Sequence, residues 1–314
     1  MYAKYFVLFA ILFTGWFLRR INFIDDKMNN SMNKIVVYFA YPCLIVHNIG
    51  SIEMSGKIVT NFAIAFAVSL VCFYLYGLIT RLYSKARKIP DDVSNVAEFA
   101  MATPNNGFMG FPIALLFFGE QGLLLMLAHN AAMNFFMFTY GIKLMRRNNG
   151  DRPQPSPMTL FKAILKLFLN PNILALTIGF AVSLAGVTLP EPVDEYLLYL
   201  GNISTPMAMI FIGSSLVGYH VKDLFEGPLA AEASAMKLIV LPLITVGLVY
   251  FLPIDPLIKS IVVLGGAFPT AAMVSMLAQQ EKQSIKTASL ILILSTIVSI
   301  VTVPGAINLI TFLF

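Results

Sequence analysis

Charge is scarce in this chain. Of its 314 residues only 12% are Asp, Glu, Lys or Arg, against about 25% in a soluble domain. With 58% hydrophobic residues, that deficit excludes an ordinary soluble fold and indicates a polytopic membrane protein. Cysteine is nearly absent: Cys43 and Cys72 lie far apart inside apolar runs, so no disulfide framework is expected. The three histidines, His47, His129 and His220, show no HExxH pattern and no pairing at ligand spacing, so no metal site is expected. His129, beside Asn130, reads instead as a hydrogen-bonding residue. The chain has no G-x-x-x-x-G-K-[ST] phosphate loop and no G-x-S-x-G elbow. ATP-driven transport by this chain alone and nucleophilic catalysis are thus not expected, nor is a cofactor or an enzymatic activity. The net charge of +5 sits in short connections without a groove-reading motif, so nucleic acid is not an expected partner.

What the chain has is apolar runs. The first, Tyr5 to Leu18, ends at Arg19-Arg20 with no small-residue cleavage site after it, which predicts a retained span. Further spans are predicted at 33–49, 58–82, 93–118, 122–144, 171–187, 196–217, 228–252, 257–278 and 285–314. Ten spans result, all helical. A polar stretch, 146–157, rich in charge, Gly and Pro, divides a first five-helix half (1–145) from a second (158–314), which opens on an amphipathic lead-in with Lys162 and Lys166. Of 21 Lys and Arg, all but Lys4, Lys57 and Lys259 fall on one side of this layout. The positive-inside rule then places the linker in the cytoplasm and both termini outside a plasma or inner membrane.

The span at 93–118 is broken near its middle by Pro104-Asn105-Asn106-Gly107. Proline has no N–H and clashes with the carbonyl four residues back. Hydrocarbon penalises unsatisfied backbone groups, so a break is tolerated only inside protein or beside a watery cavity. Asp92 to Pro104 measures roughly 18 Å of helix, near the middle of a hydrocarbon core about 30 Å thick. A half-helix restarting at 105–107 would aim free N–H groups and the positive end of its dipole at whatever lies there. Such a break is an anion seat.

The halves share landmarks. Gly15 and Gly179, and Pro42 and Pro206, are offset by 164 residues, and Pro104 and Pro269 by 165. Five spans per half make the second copy enter the membrane inverted, the plan of many secondary transporters, whose sites lie where interrupted spans of the two halves meet. Pro269-Thr270 would break the ninth span at the same depth as Pro104. Asn130 and Asn134, one turn apart, correspond to Ser295 and Ser299, and these four either line a site or join helices. Glu98 is either an interfacial carboxylate or a proton or cation coupling group. Lys237, the deepest cation, either snorkels to the interface or compensates substrate charge.

Three stretches carry a family resemblance: PNNGFMGFPIALLFFGEQG, MKLIVLPLI, and VVLGGAFPTAAMVSMLAQQ followed by KTASLILILSTIVSIVTVP. They resemble the bacterial branch of the auxin efflux carrier family over essentially the whole chain. The resemblance implies ten helices in two inverted repeats with helices 4 and 9 broken and crossed, as in bile-acid sodium symporters. It further implies elevator-type alternating access, carriage of small organic anions such as malate, malonate or auxin-like acids, and pairing into a homodimer. The asparagine after the span-four proline, Asn105 here, contributes to the carboxylate site in that family, and Thr270 is its span-nine counterpart. The short linker lacks the long regulatory loop of plant members. Sodium-coupled symport of a larger amphipathic anion is the alternative.

Overall fold

A computed structural model describes residues 2–147, 154–217 and 228–314. Residues 148–153 of the linker, Arg152 among them, and His220 and Lys222 lie outside the described residues. The described chain is helical: α1 (Tyr2–Arg20), α2 (26–50), α3 (Gly56–Ala86), α4 (Asp91–Ala102), α5 (Asn106–Met145), α6 (Pro157–Leu167), α7 (Pro171–Leu184), α8 (Glu191–Ser215), α9 (Pro228–Tyr250), α10 (Pro256–Ala267), α11 (Met273–Gln280) and α12 (Ile285–Leu313). Within α2, α5 and α9 a wide π-type turn immediately precedes Tyr41-Pro42, Phe111-Pro112 and Leu241-Pro242. Widening the turn upstream moves the carbonyl that each proline ring would strike, so the helix continues.

Among the described residues, α3, α5, α8, α9 and α12 are long and apolar enough to cross a bilayer, and α6 with α7, bent by 53°, makes a sixth if counted as one span. Phe6, Phe13, Val71, Phe168, Val301 and Phe312 are more than half exposed, as suits side chains solvated by lipid. The chain is thus a multi-pass membrane protein. Length alone does not recover ten spans, because α4 and α10 stop after 12 residues each. In addition, α5 runs 40 residues, through both the second half of the expected fourth span and the fifth. These two stretches are joined by no loop. Gly119, at φ 66° and ψ −161°, turns the chain by itself, in a region that favours glycine.

The chain forms two compact units, each drawing on both sequence halves. The first comprises Met1–Phe62, Phe111–Leu127 and Leu167–Tyr219. In it α1 packs along the second part of α8, and the second part of α2 packs along α7. Each contact is closed by a glycine: Gly15 lies on the Ile210 backbone, and Gly179 lies on Ile49 and Ile45. The second unit comprises Ala63–Gly110, Ala128–Lys166 and His220–Phe314. Here α9, α10 and α12 pack together, with α4 against α12.

Candidate functional site

The second unit contains both predicted breaks, and they meet. After α4, Thr103 is extended (φ −111°, ψ 102°). After α10, Phe268 is likewise extended (φ −70°, ψ 152°). The breaks pair as a short antiparallel bridge, with Pro104 opposite Thr270. The Asn105 N–H donates to the Pro269 carbonyl at 2.7 Å, and the Ala271 N–H to the Thr103 carbonyl at 3.0 Å. Groups that a continuous helix would have satisfied are satisfied across the crossing, which is what the cost of burying unpaired peptide groups demands.

Each interrupted helix leaves a carbonyl in need of a donor. The partner of the Ala100 carbonyl in a continuous helix would be the N–H of residue 104, which is proline. The Thr270 hydroxyl takes that place, donating to the Ala100 oxygen at 2.9 Å. The Gly266 carbonyl would be served by the Thr270 N–H, but this donates to Ser295 Oγ at 3.1 Å. Instead the ammonium of Lys237 donates to the Gly266 oxygen at 3.2 Å, at the electronegative end of α10. Lys237 is fully buried, 5.8 Å from the centre of the Tyr76 ring. It does not snorkel.

On the far side of the breaks, Asn105 Oδ1 accepts from the Phe108 N–H at 3.2 Å and caps the restarting helix. Asn106 is fully buried; its amide nitrogen donates to Met133 Sδ at 3.5 Å, and its Oδ1 has no partner among the described residues. Such an orphan costs about 1–3 kcal/mol until a donor reaches it. A side chain at Gly107 would meet nothing within 4 Å. Open space therefore adjoins the electropositive start of α5.

The structure brings Pro104, Asn105, Pro269, Thr270 and Ser295 together directly, with Asn106 and Gly107 following on. Asn134 is buried beside Met133, the neighbour of the Asn106 amide, and Asn130 is half-buried. Ser295 and Ser299 are buried and donate to the carbonyls of Leu292 and Thr296 on their own helix. Glu98 is buried, and one of its oxygens accepts from Arg147 at 2.7 Å. Glu232 accepts from Tyr83 and Arg87. That hydrogen bond raises the Arg87 pKa, as the bond to Glu281 raises that of Arg146.

Sequence reasoning missed the residues behind the crossing. Ser69 and Tyr76, two turns apart on α3, hold His129 (Nδ1 to Ser69 Oγ, 2.7 Å) and Thr245 (hydroxyl to hydroxyl). His129 lies directly on Gly265, where any side chain would strike its ring. The Gly265-Gly266 pair just before Pro269 was the one signal for this packing. Among the described residues no group of three His, Cys, Asp or Glu could hold a metal ion.

The profile of the membrane transport protein family matches residues 1–307. A "Putative malonate transporter" of Rhizobium meliloti is 25% identical over 315 residues, covering 96% of this chain and 93% of its own. An uncharacterized transporter of Methanothermobacter thermautotrophicus is 24% identical over 299 residues (94% and 93%), and one of Methanocaldococcus jannaschii 24% over 301 (95% and 94%). The chain belongs to this family of membrane transporters, that of the auxin efflux carriers, and is not an enzyme.

Proposed function

We propose that this transporter is a secondary carrier of small organic anions, with a substrate carboxylate seated at the start of α5, beside Gly107 and between Asn105 and Asn106. The open space at that electropositive helix end carries the reading. Pro104, Pro269 and Thr270 fix the backbone of the seat, while Asn130, Asn134, Ser295 and Ser299 complete its wall. Lys237, whose ammonium already serves the Gly266 carbonyl, supplies the compensating positive charge. With a cation built into the chain, this reading invokes no bound sodium ion. Glu98, paired with Arg147, is held for coupling rather than for the substrate.

The substrate class is that of malonate and malate, supported by the name of the Rhizobium relative. Ten spans form two inverted repeats, 1–145 and 158–314, around the cytoplasmic linker, with both termini outside. Two observations support this plan. The bridge centres the crossing between residues 104 and 105 in one half and between 269 and 270 in the other, which are equivalent at the 165-residue offset. Gly15 meets Ile210, and Gly179 meets Ile45 and Ile49, contacts that the 164-residue offset nearly superimposes. In an elevator cycle the second compact unit carries the crossing, and the first is the scaffold.

The test is uptake of labelled malonate, malate, citrate-like acids and indole acids into proteoliposomes under imposed pH and sodium gradients. Saturable uptake of a small dicarboxylate that persists without sodium is expected. Single-channel currents, or transport of none of these acids, would overturn the reading, and a strict sodium requirement would favour the symporter alternative.

A further inference from the structure

At the basic end of the second unit a cavity of about 380 Å³ opens between the end of α3, the start of α4 and Arg147. Its rim carries the exposed cations Arg81, Lys85 and Lys88 and the exposed Asp91. Its floor is Ser84, Ser94 and Glu98, all buried. Arg147 and Glu98 offset one another as an ion pair, which leaves three rim cations against one carboxylate among the described lining residues. The start of α4 has no side-chain cap, and Asp91 in its first turn already complements the positive end of its dipole.

Two residues of that floor carry a buried oxygen with no hydrogen-bond partner among the described residues. Ser84, 3% exposed, has an unpartnered Oγ, and Glu98, 2% exposed, has an unpartnered Oε2. Unsatisfied buried groups in a charged cavity point to a ligand that completes them. The ligand must be an anion, given the rim, yet must also offer a donor to the Glu98 oxygen. A fully ionised carboxylate has none. A singly protonated phosphate has both: its second ionisation falls near pH 6, and a neighbouring carboxylate such as Glu98 holds that proton on the group.

We propose that this cavity binds a singly protonated phosphate group, with Lys85, Lys88 and Arg81 on its ionised oxygens, Ser84 donating to it and its O–H donating to Glu98 Oε2. The group is either free phosphate or the headgroup of an anionic lipid. The site shares Glu98 with the coupling role proposed above; because its test reads binding and not transport, the two readings fail separately.

The test measures binding by the purified full chain. Inorganic phosphate is titrated in detergent, and lipid retention is compared in phosphatidylcholine nanodiscs with and without phosphatidic acid. Lys85 is replaced by Ala and Lys88 by Asn, which tolerates the φ of 51° found there. Both lysines are exposed, and a monodisperse elution with unchanged melting temperature checks the fold. The wild type is expected to bind at least one probe and the double variant to lose roughly 10-fold or more in affinity. Phosphatidic acid alone binding identifies a lipid site, and inorganic phosphate binding identifies a soluble one. Binding of neither probe, or equal binding by the folded double variant, overturns the proposal.

Discussion

The two interrupted helices solve one problem with opposite chemistry. At the end of α4 the stranded Ala100 carbonyl is met by the neutral Thr270 hydroxyl. At the end of α10 the stranded Gly266 carbonyl is met by the Lys237 ammonium. Beyond the breaks the contrast reverses. Thr270 is enclosed, with hydroxyl and N–H both engaged. Its counterpart Asn105 caps a helix whose next residues adjoin open space. Positions equivalent at a fixed offset are therefore unequal in chemistry: one half of the crossing supplies the opening, the other the charge and the closed back wall.

Three substitutions separate these roles. Lys237→Met should reduce uptake of a transported acid roughly 100-fold, the scale of losing a charged partner. Its melting temperature should not fall much, since relief from burying an ammonium offsets the lost bond. Uptake at the wild-type rate would make Lys237 a purely structural cap. Asn105→Ala should lower uptake by roughly 10-fold or more and cost about 1 kcal/mol as a lost helix cap. A stability loss with unchanged uptake, measured on reconstituted protein, would remove Asn105 from the seat. Thr270→Val has the smallest effect on transport. It should destabilise by about 1–3 kcal/mol by stranding the Ala100 carbonyl, while uptake per folded molecule falls by less than in Asn105→Ala. If uptake collapses in a stable Thr270→Val protein, the two sides of the crossing are functionally alike after all.

Pro104 and Pro269 made the breaks legible in the sequence because proline acts on its own helix, through a missing N–H and a local clash. Their pairing followed from the offset. What serves the stranded carbonyls did not, because Thr270 reaches Ala100 across 170 residues and Lys237 reaches Gly266 across 29. Such contacts depend on packing between helices, which periodicity does not encode. Ser69 and Tyr76 were missed for the same reason: on an apolar helix a lone hydroxyl has no local signature. Gly119 lay between two expected spans, yet nothing in the neighbouring residues announced a single-residue turn in place of a loop. The burial of Lys237 also went against the commoner fate of a lysine near a span end, because α10 offers it a carbonyl and Tyr76 a ring.

The join between the breaks is made of main chain: Asn105 N–H to Pro269 carbonyl, Ala271 N–H to Thr103 carbonyl. Peptide groups are the same whatever residue bears them, prolines apart. Side chains around the bridge can therefore be replaced one at a time without untying the knot that holds the crossing.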